Sequence, residues 1–438
     1  MALFSLRGPD WGDILPPMTD RIPVQYDPPA HPRFAIELIT DTAGCKQTGG
    51  SGGSCWGFNQ SNIVRCGEEV YALSWRDDLS LVVFRRIGPG RWEHSPPTPP
   101  VPQNGNLLVD SRGQLHLIGG ANASFQVLFD PPGQVQRFAL RERATADSRF
   151  GAAINERDQI FAGGGLERLG WYLLDAGQDC RPVAAGELAH ESARGYHFAV
   201  LAGNAVHTFC SDDYFLAGDE YPNQTVTYRV AATGEMKTIE TPHGIYPVLK
   251  SYYYYCPDLL HTPQDWHLQV VSDVSDTFAG GKRGTTEQQD LLVDAEGRVH
   301  FVYFENRQPS SAVWAATGQE QSASRLYHAV GEPGGPFTHF CLGNYNSGRL
   351  YQTPDGRMHY LLTRGRRGDA ESLWYAAGTE DWSHISEPVQ LELPSRFWHF
   401  FINTARAGGT RTPFIDCYWT GAYQQNSNQV WYGRLDPE

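Results

Sequence analysis

Residues 107–118 read LLVDSRGQLHLI, two apolar runs joined by a polar turn that contains glycine. Short apolar runs on either side of such a turn are typical of a β-hairpin. A histidine between apolar residues marks the second run, and this phrase recurs along the chain. Copies with the histidine are GNAVHTF (203–209), DWHLQVV (265–271), GRVHFV (297–302) and GRMHYLL (356–362), whereas EVYAL (69–73) and DQIF (158–161) lack it.

The regular spacing of these hairpins indicates a repeat architecture. The anchor positions, which correspond to the histidine, are Tyr71, His116, Gln159, His207, His300 and His359, with a last hairpin near Tyr418. The first four anchors are separated by 45, 43 and 48 residues. A period of about 40 to 50 residues with four short strands is typical of a propeller blade. We therefore predict an all-β, seven-bladed β-propeller.

Residues 1–438 are predicted to form this single domain, with an irregular N-terminal segment, 1–54. The stretch 212–288 does not fit the period, because its anchor-like His267 lies only 33 residues before His300. We interpret the stretch 212–288 as an elaborated blade or a large inserted loop, with an eighth blade as the alternative. FAIELI (34–39) and QVWYGR (429–434) both resemble strands, and we expect them to share the last blade and hide its edges.

Composition restricts the partners of the chain. Its net charge is −14, which argues against nucleic acid, since nucleic-acid binding needs basic surfaces. No apolar run approaches the roughly 18 residues of a membrane span. We expect a monomer. The N-terminus lacks a basic region followed by a long apolar core, so we expect a cytoplasmic protein, or a secreted or periplasmic one whose signal peptide was removed.

The cysteines give no metal-site pattern. The chain has 8 cysteines but no Cys-x-x-Cys, so we predict no structural zinc. Cys45 and Cys55 bracket a Gly/Ser-rich loop, and the sequence leaves open whether they form a disulfide; the other six are interpreted as buried thiols. We expect no cofactor. A structural calcium ion remains open, although no acidic loop has a ligand spacing that identifies one.

Polar residues recur where the innermost strand of each predicted blade begins, which is the face of a propeller that usually binds ligands. The residues ten positions before the anchors are Ser61, Asn106, Arg149, His197 and Asp290. THF (338–340) and WHF (398–400) match YHF (196–198) and SRF (148–150). Because side chains alternate along a strand, the Phe points into the blade and the preceding residue into the channel. The predicted channel ring is therefore Arg149, His197, His339 and His399.

The anchor histidines form a separate set. A single active site needs no symmetry, so their recurrence in successive repeats predicts a packing or hydrogen-bonding role. Other candidates for binding a ligand are aromatic or polar. They are Trp56 and Asn59 before the first blade, Tyr252 and Tyr254 in the run SYYYY (251–255), and Asn106 and Asp290 of the entrance set. Aromatic faces of this kind stack on sugar rings, and a phenol acts as an acid or base.

The phrase D-x-x-G-x-apolar-His-apolar, with the strands SAVWAA (311–316) and SLWYAA (372–377), resembles the BNR-repeat propellers of the sialidase-like superfamily. It is most similar to the seven-bladed polysaccharide lyases that act on ulvan and to related rhamnose–glucuronate enzymes. The resemblance covers about residues 55–435. The chain departs from true sialidases, because it has no good copy of their S-x-D-x-G-x-T-W box, which makes sialidase activity the weaker interpretation.

The resemblance implies β-elimination from a uronic-acid-containing glycan, an anionic polysaccharide or oligosaccharide. Such lyases need a His or Tyr base, a Tyr or His acid, and an Arg or His that neutralises the carboxylate. On this basis His197 is assigned as base, Tyr196 or a tyrosine of 252–255 as acid, and Arg149 as carboxylate partner, with His339 and His399 assisting.

Two other functions remain open at this point. One is a glycoside hydrolase on the same fold, which needs two carboxylates that flank the scissile bond. Entrance carboxylates are sparse, and Asp290 is the clearest. The other is a non-catalytic propeller that binds a glycan or a protein. The identity of the glycan and endo or exo action are not encoded in any pattern that we recognise.

Overall fold

The protein is built from β-strands joined by turns, as seen in a computed structural model. Within the described ranges the only helical element is one 3-10 turn, Ala176–Gln178. The structure describes residues 21–43, 61–78, 80–100, 105–119, 123–128, 134–139, 151–164, 168–178, 180–189, 196–211, 224–229, 236–241, 248–275, 285–306, 324–365, 371–379, 381–395, 397, 400–421 and 428–437.

The strands are numbered along the chain and grouped into sheets 1 to 7. Three strands come first: β1 (Arg21–Pro23), β2 (Gln25–Asp27) and β3 (Arg33–Thr40). Sheet 1 has β4 (Ile63–Cys66), β5 (Glu69–Trp75), β6 (Leu81–Gly88) and β7 (Arg91–His94). Sheet 2 has β8 (Gly105–Val109), β9 (Leu115–Gly119), β10 (Ala123–Leu128) and β11 (Gln134–Ala139). Sheet 3 has β12 (Gly151–Ile154), β13 (Gln159–Gly164), β14 (Arg168–Asp175) and β15 (Arg181–Ala189).

Sheet 4 includes a hairpin between its second and third strands. Its strands are β16 (Phe198–Ala202), β17 (Ala205–Ser211), β20 (Lys250–Cys256) and β21 (His267–Asp273), and the hairpin is β18 (Gln224–Arg229) and β19 (Met236–Thr241). Sheet 5 has β22 (Thr285–Val293), β23 (Val299–Asn306), β24 (Ser324–Gly331) and β25 (Thr338–Gly343). Sheet 6 has β26 (Ser347–Gln352), β27 (Met358–Arg364), β28 (Ser372–Ala377) and β30 (Val389–Leu391), and β29 is His384–Ser386. Sheet 7 has β31 (Phe400–Thr404), β32 (Ile415–Gly421), β33 (Val430–Asp436) and β3.

These sheets follow one another around a central channel. Their first strands contact each other in the order β4, β8, β12, β16, β22, β26 and β31, and β31 contacts β4. The apolar core lies between consecutive sheets, and the cluster between sheets 7 and 1 completes the circle. Apolar residues of neighbouring sheets remove each other from water, which is the largest favourable contribution to folding.

The all-β propeller prediction is confirmed at the level of the fold. Six blades are recognised in it, a number that differs from the seven predicted, although seven sheets of the described strands have four or five strands. The two counts disagree. The first strand of each of the seven sheets contacts a neighbour on both sides.

The last sheet is shared by both ends of the chain, as predicted. Strand β3 pairs antiparallel with β33, from Arg33 opposite Asp436 to Thr40 opposite Val430. The preceding strands continue along the outer edges, since β1 pairs in parallel with β25 and β2 with β29. Part of the segment 1–54 that the sequence predicted to be irregular is therefore regular, because its strands complete the edges of other sheets.

The histidine phrase at 265–271 has a different place from the other copies. His267 begins β21, the outermost strand of sheet 4, whereas the other anchors lie in second strands. The period is irregular here because the hairpin β18–β19 interrupts the sheet. The described residues of 212–288 thus contain no separate four-stranded sheet. The part of the chain that the structure describes includes no apolar helix of membrane-spanning length.

Candidate functional site

The anchor histidines hold the turns between first and second strands. His116 Nε2 lies 3.2 Å from Asp110 Oδ2, and His300 Nε2 lies 3.1 Å from Asp294 Oδ2. In sheet 6, His359 Nε2 is 3.1 Å from Thr353 Oγ1. Each of these partners lies six residues before its histidine. The predicted structural role of the anchors agrees with these contacts.

The second ring nitrogen of each anchor also has a partner. His300 Nδ1 lies 2.9 Å from His328 Nε2, and His116 Nδ1 lies 3.3 Å from the Cys180 sulfur. His207 Nδ1 and His359 Nδ1 are each 2.8 Å from a tyrosine hydroxyl, those of Tyr253 and Tyr375. Burial lowers the pKa of His207 to about 3 and that of His359 to about 4. The His207 and His359 rings are therefore neutral near pH 7.

The strand-start end of the channel, where the inner strands begin, is tied by hydrogen bonds between sheets. Ser61 N–H donates to Asn106 Oδ1 at 2.9 Å, and Asn403 Nδ2 donates to Asn62 Oδ1 at 2.8 Å. Gln288 Nε2 donates to the Tyr196 carbonyl at 2.9 Å. Asn106, predicted to bind substrate, is fully buried in this network. The structure gives it a bond between sheets 1 and 2 instead.

Asp290 lies at the centre of a buried charge cluster. Its Oδ1 accepts a 2.5 Å hydrogen bond from Arg406 and its Oδ2 a 2.7 Å bond from the Leu350 N–H. Arg349 Nη1 lies 3.6 Å from Oδ1 and also donates to the Gln289 carbonyl. Asp290 is 0 % exposed. Its predicted role in binding substrate is therefore corrected, because protein donors occupy both carboxylate oxygens.

The same cluster contacts the residue that follows the predicted base in the chain. The Arg349 guanidinium lies 4.9 Å from the ring of Phe198, the residue after His197, and donates to the Ile402 carbonyl at 2.6 Å. Two arginines, Arg349 and Arg406, thus share one carboxylate. Tyr196 and His197 are both buried at this end.

The residues of the predicted channel ring have different outcomes. The structure does not describe Arg149 and His399, nor the predicted binding residues Trp56 and Asn59, so their placement stays a prediction. His339 lies on β25, the outermost strand of the four that repeat in sheet 5, beside β1. Its channel position is therefore wrong. The x-His-Phe phrase identified a strand but did not specify which strand of the sheet.

His339 instead belongs to a polar cluster at the outer edge. Its Nδ1 lies 2.8 Å from the Tyr303 hydroxyl. Burial and the charge of Arg21 lower the pKa of His339 to about 4. Arg21, from β1, forms an ion pair with the buried Glu305 and lies 4.4 Å from the centre of the Tyr327 ring. These contacts attach the N-terminal strand.

The tyrosine run forms β20, the third strand of sheet 4, and does not line the channel. Tyr254 packs in an apolar cluster with Leu169, Leu188 and Cys210, and Tyr252 contacts this cluster. The proposed contact of Tyr252 and Tyr254 with substrate is therefore corrected. The alternation was right, but both faces of the strand pack against neighbouring sheets.

A cavity of about 640 Å³ lies in the channel, and its lining extends from Ser61, Phe198 and Leu291 near the strand-start end to Asp110 and Asp294 at the opposite end, the turn end. Its walls include the small residues Ala152, Ala199 and Ala202, and neither His197, Asp290 nor Arg349 lines it. Its rim includes the exposed residues Glu156 and Arg411. Ligand pockets typically measure about 300–1,000 Å³. No sequence motif marks this cavity, because small residues without a motif form part of its walls.

Residues 405–411, here called the channel loop, form one side of the cavity. The loop leaves sheet 7, and its Ala407 carbonyl accepts from the Val109 N–H at 3.2 Å while its Thr410 N–H donates to the Arg65 carbonyl at 2.9 Å. Gly409 has φ +75°, and a Cβ there would lie 1.9 Å from the Arg65 carbonyl oxygen. Only glycine fits this close approach. The pair Gly408-Gly409 was the signal that sequence reasoning overlooked.

No group of three His, Cys, Asp or Glu side chains among the described residues is placed to hold a metal ion. The six cysteines that the structure describes are free thiols. Cys45 and Cys55 lie outside these ranges, so their pairing stays open.

Comparisons with known proteins identify the fold and not the family. No protein-family model and no curated protein matches the chain. Among solved structures, the chain is similar to the polysaccharide lyase Uly1, with a TM-score of 0.52 and 11 % identity over 93 % of this chain and 99 % of that one. The membership in the BNR-repeat group therefore remains a prediction.

Two other solved structures have lower similarity. Virginiamycin B lyase from Staphylococcus aureus has a TM-score of 0.42 and 10 % identity, over 93 % of this chain and 99 % of that one. The SapL1 lectin, in complex with alpha methyl fucoside, has a TM-score of 0.37 and 10 % identity, over 77 % of this chain and 99 % of that one. The similarity to Uly1, at 11 % identity, is a similarity of fold alone.

Proposed function

We propose that this protein is a carbohydrate-active propeller, a polysaccharide lyase that cleaves a uronic-acid-containing glycan by β-elimination. The observation that carries the proposal is the excess of positive charge around Asp290, whose single carboxylate Arg349 and Arg406 share. In a chain of net charge −14, a local cationic cluster is needed to attract an anionic substrate. The fold shared with a polysaccharide lyase adds support.

In the proposed reaction His197 removes the C5 proton of the uronate. The C4–oxygen bond then breaks as the C4–C5 double bond forms, and Tyr196 gives a proton to the departing oxygen. Arg149 pairs with the substrate carboxylate, and His399 assists. Positive charge near the carboxylate stabilises the negative charge that develops at C5. His339, Tyr252 and Tyr254 have no part in this proposal, because of where the structure places them.

Asp290 argues against the glycoside hydrolase alternative. Hydrolases of this type use two carboxyl groups, one of them as a proton donor. Both oxygens of Asp290 accept hydrogen bonds from protein donors, and the side chain is fully buried. This group therefore has no free oxygen for a sugar, which removes the clearest carboxylate from the candidate set.

The test is the ultraviolet absorbance of the unsaturated uronate during incubation with a panel of uronate-containing glycans. The wild-type protein is expected to produce this absorbance with at least one glycan. New reducing ends without absorbance would indicate hydrolysis, and neither signal would indicate a binding propeller.

The His197→Ala variant tests the assigned base. Loss of a general base lowers the rate by about 10² to 10⁴, so we expect this decrease in kcat. His94→Ala is the matched control, because His94 is exposed on the outermost strand of sheet 1. Turnover that survives in His197→Ala would eliminate the assignment.

We also propose that all seven sheets act as blades of one ring. The support is the closed cycle of inner-strand contacts and the apolar clusters between every pair of neighbouring sheets. An electron-density map that shows six inner strands around the channel would contradict the proposal.

A further inference from the structure

Two arginines and four carboxylates line the cavity. Arg411 is exposed at its rim and makes no hydrogen bond or ion pair with any described residue. Arg406, 26 % exposed, also lines the cavity although it pairs with Asp290. Both arginines belong to the channel loop. The guanidinium group of Arg411 is therefore available to an incoming anion.

The carboxylates of sheet 3 that line the cavity are those of Glu156 and Asp158. Glu156 is exposed and its Oε2 lies 3.4 Å from the Gly203 N–H, and its Oε1 lies 3.6 Å from Arg157. Asp158 accepts hydrogen bonds from Ser111, at 2.7 Å from its N–H and 2.6 Å from its hydroxyl. Glu156 thus keeps capacity to accept hydrogen bonds from hydroxyl groups. The two other acids of the cavity, Asp110 and Asp294, are held by Arg112 and Arg298.

From this arrangement we propose that the turn-end cavity is a second binding site, and that its ligand is a small sugar acid. The carboxylate of the ligand pairs with Arg411, for which guanidinium geometry is well suited. Its hydroxyl groups donate to Glu156, and its carbon framework lies against the walls formed by Ala152, Ala199 and Ala202. The volume limits the ligand to one or two sugar units.

This site is distinguished from the proposed elimination site by Arg411 and Glu156 at the turn end. Phe198 and Arg406 line the cavity beside the elimination residues, whereas His197, Asp290 and Arg349 do not line it. The proposal does not depend on lyase activity, because binding at the turn end needs only the channel loop and sheet 3.

The experiment is isothermal titration calorimetry of the whole protein with sodium glucuronate at low ionic strength. Glucose is the uncharged control ligand. We expect saturable binding of one glucuronate and binding of glucose that is weaker by roughly tenfold or more, since hydrogen bonds to charged groups contribute that much. Arg411→Ala is expected to weaken glucuronate binding by a similar factor. Arg181→Ala, which removes an exposed arginine away from the cavity, is expected to leave it unchanged.

His197→Ala distinguishes the two ends of the channel. Glucuronate binding that persists in His197→Ala but weakens in Arg411→Ala supports the proposal. Binding lost in His197→Ala overturns it, because the ligand then occupies the strand-start end. Absence of saturable binding, equal affinity for glucose, or an unchanged affinity in Arg411→Ala overturns it as well. None of these outcomes alters the absorbance test of elimination, so the two proposals fail separately.

Discussion

The two ends of the channel differ in how their hydrogen bonds are distributed. At the turn end, bonds within one sheet, such as those of Asp294 with His300 and of Thr353 with His359, occur beside bonds between sheets, such as that of Ser111 with Asp158. At the strand-start end, Asp290 of sheet 5 contacts Leu350 of sheet 6, and other bonds likewise join neighbouring sheets. Bonds within a repeat stabilise one unit, whereas bonds between repeats hold the ring together.

The largest expected effect comes from Asp290→Ala. This change leaves the buried guanidinium of Arg349 and that of Arg406 without their carboxylate. Removing one partner of a buried ion pair costs about 3–5 kcal/mol, so we expect a decrease of this size in the free energy of unfolding, measured with urea. Asp78→Ala, at an exposed position, serves as the control. An equal decrease in both variants would show that the cluster does not hold the ring.

The anchor histidines predict a pH dependence of stability. Their pKa in the unfolded chain is about 6.5, against about 3 for His207 and about 4 for His359 in the fold. In between, the unfolded state binds more protons. The stabilising contribution is therefore fully present above about pH 6.5 and is lost as the pH falls through about 4.

His359→Gln isolates one of these contributions. Glutamine does not titrate, so the loss of unfolding free energy between pH 7 and pH 4 should shrink by about 2–3 kcal/mol. Urea unfolding at both pH values measures it. His94→Gln, at an exposed site, is the matched control variant for the same two measurements. A pH dependence that is the same in His359→Gln as in the wild type would falsify the neutral, buried state of this ring.

Gly409→Ala tests the close approach of the channel loop to sheet 1. A residue with a side chain at φ +75° costs about 1–3 kcal/mol, and the collision with the Arg65 carbonyl adds to it. Gly90→Ala is the matched control, because Gly90 has φ +64° with nothing near its added Cβ. We expect a lower melting temperature for Gly409→Ala than for Gly90→Ala, and equal values would contradict the close packing.

The smallest expected effect on stability is that of Arg411→Ala. Its side chain is exposed and makes no bond to a described residue, so the free energy of unfolding should change by less than about 0.5 kcal/mol. Thermal unfolding measures it. A larger change would mean that this arginine supports the channel loop and is not held ready for a ligand.

The contrast between the two ends also explains what the sequence predicts well. The six-residue spacing from Asp110 or Asp294, or from Thr353, to the histidine lies within one hairpin, so a local pattern identified His116, His300 and His359 and their structural role. The sequence also predicts that strand β3 pairs with β33, because an apolar strand at a chain end needs a partner.

Contacts between repeats left no local pattern. Asp290 and Arg406 are far apart in the chain, and nothing near either residue indicates the other. The phrase x-His-Phe begins near an inner strand at His197 but lies on an outer one at His339, because local alternation does not encode the position of a strand in its sheet. The strand-start half of the site was therefore predicted only in part.

Strands β1 to β3 have a consequence for how the chain is made. They pair with β25, β29 and β33, so these strands stay without their partners until much later parts of the chain have been synthesised. Pairings between distant parts of a chain form slowly, and unpaired edges are sites of aggregation meanwhile. A growing chain on the ribosome can complete its early sheets, but the last sheet forms only after β33 has been synthesised. Strands β1 to β3 therefore pair only with parts of the ring that are synthesised late.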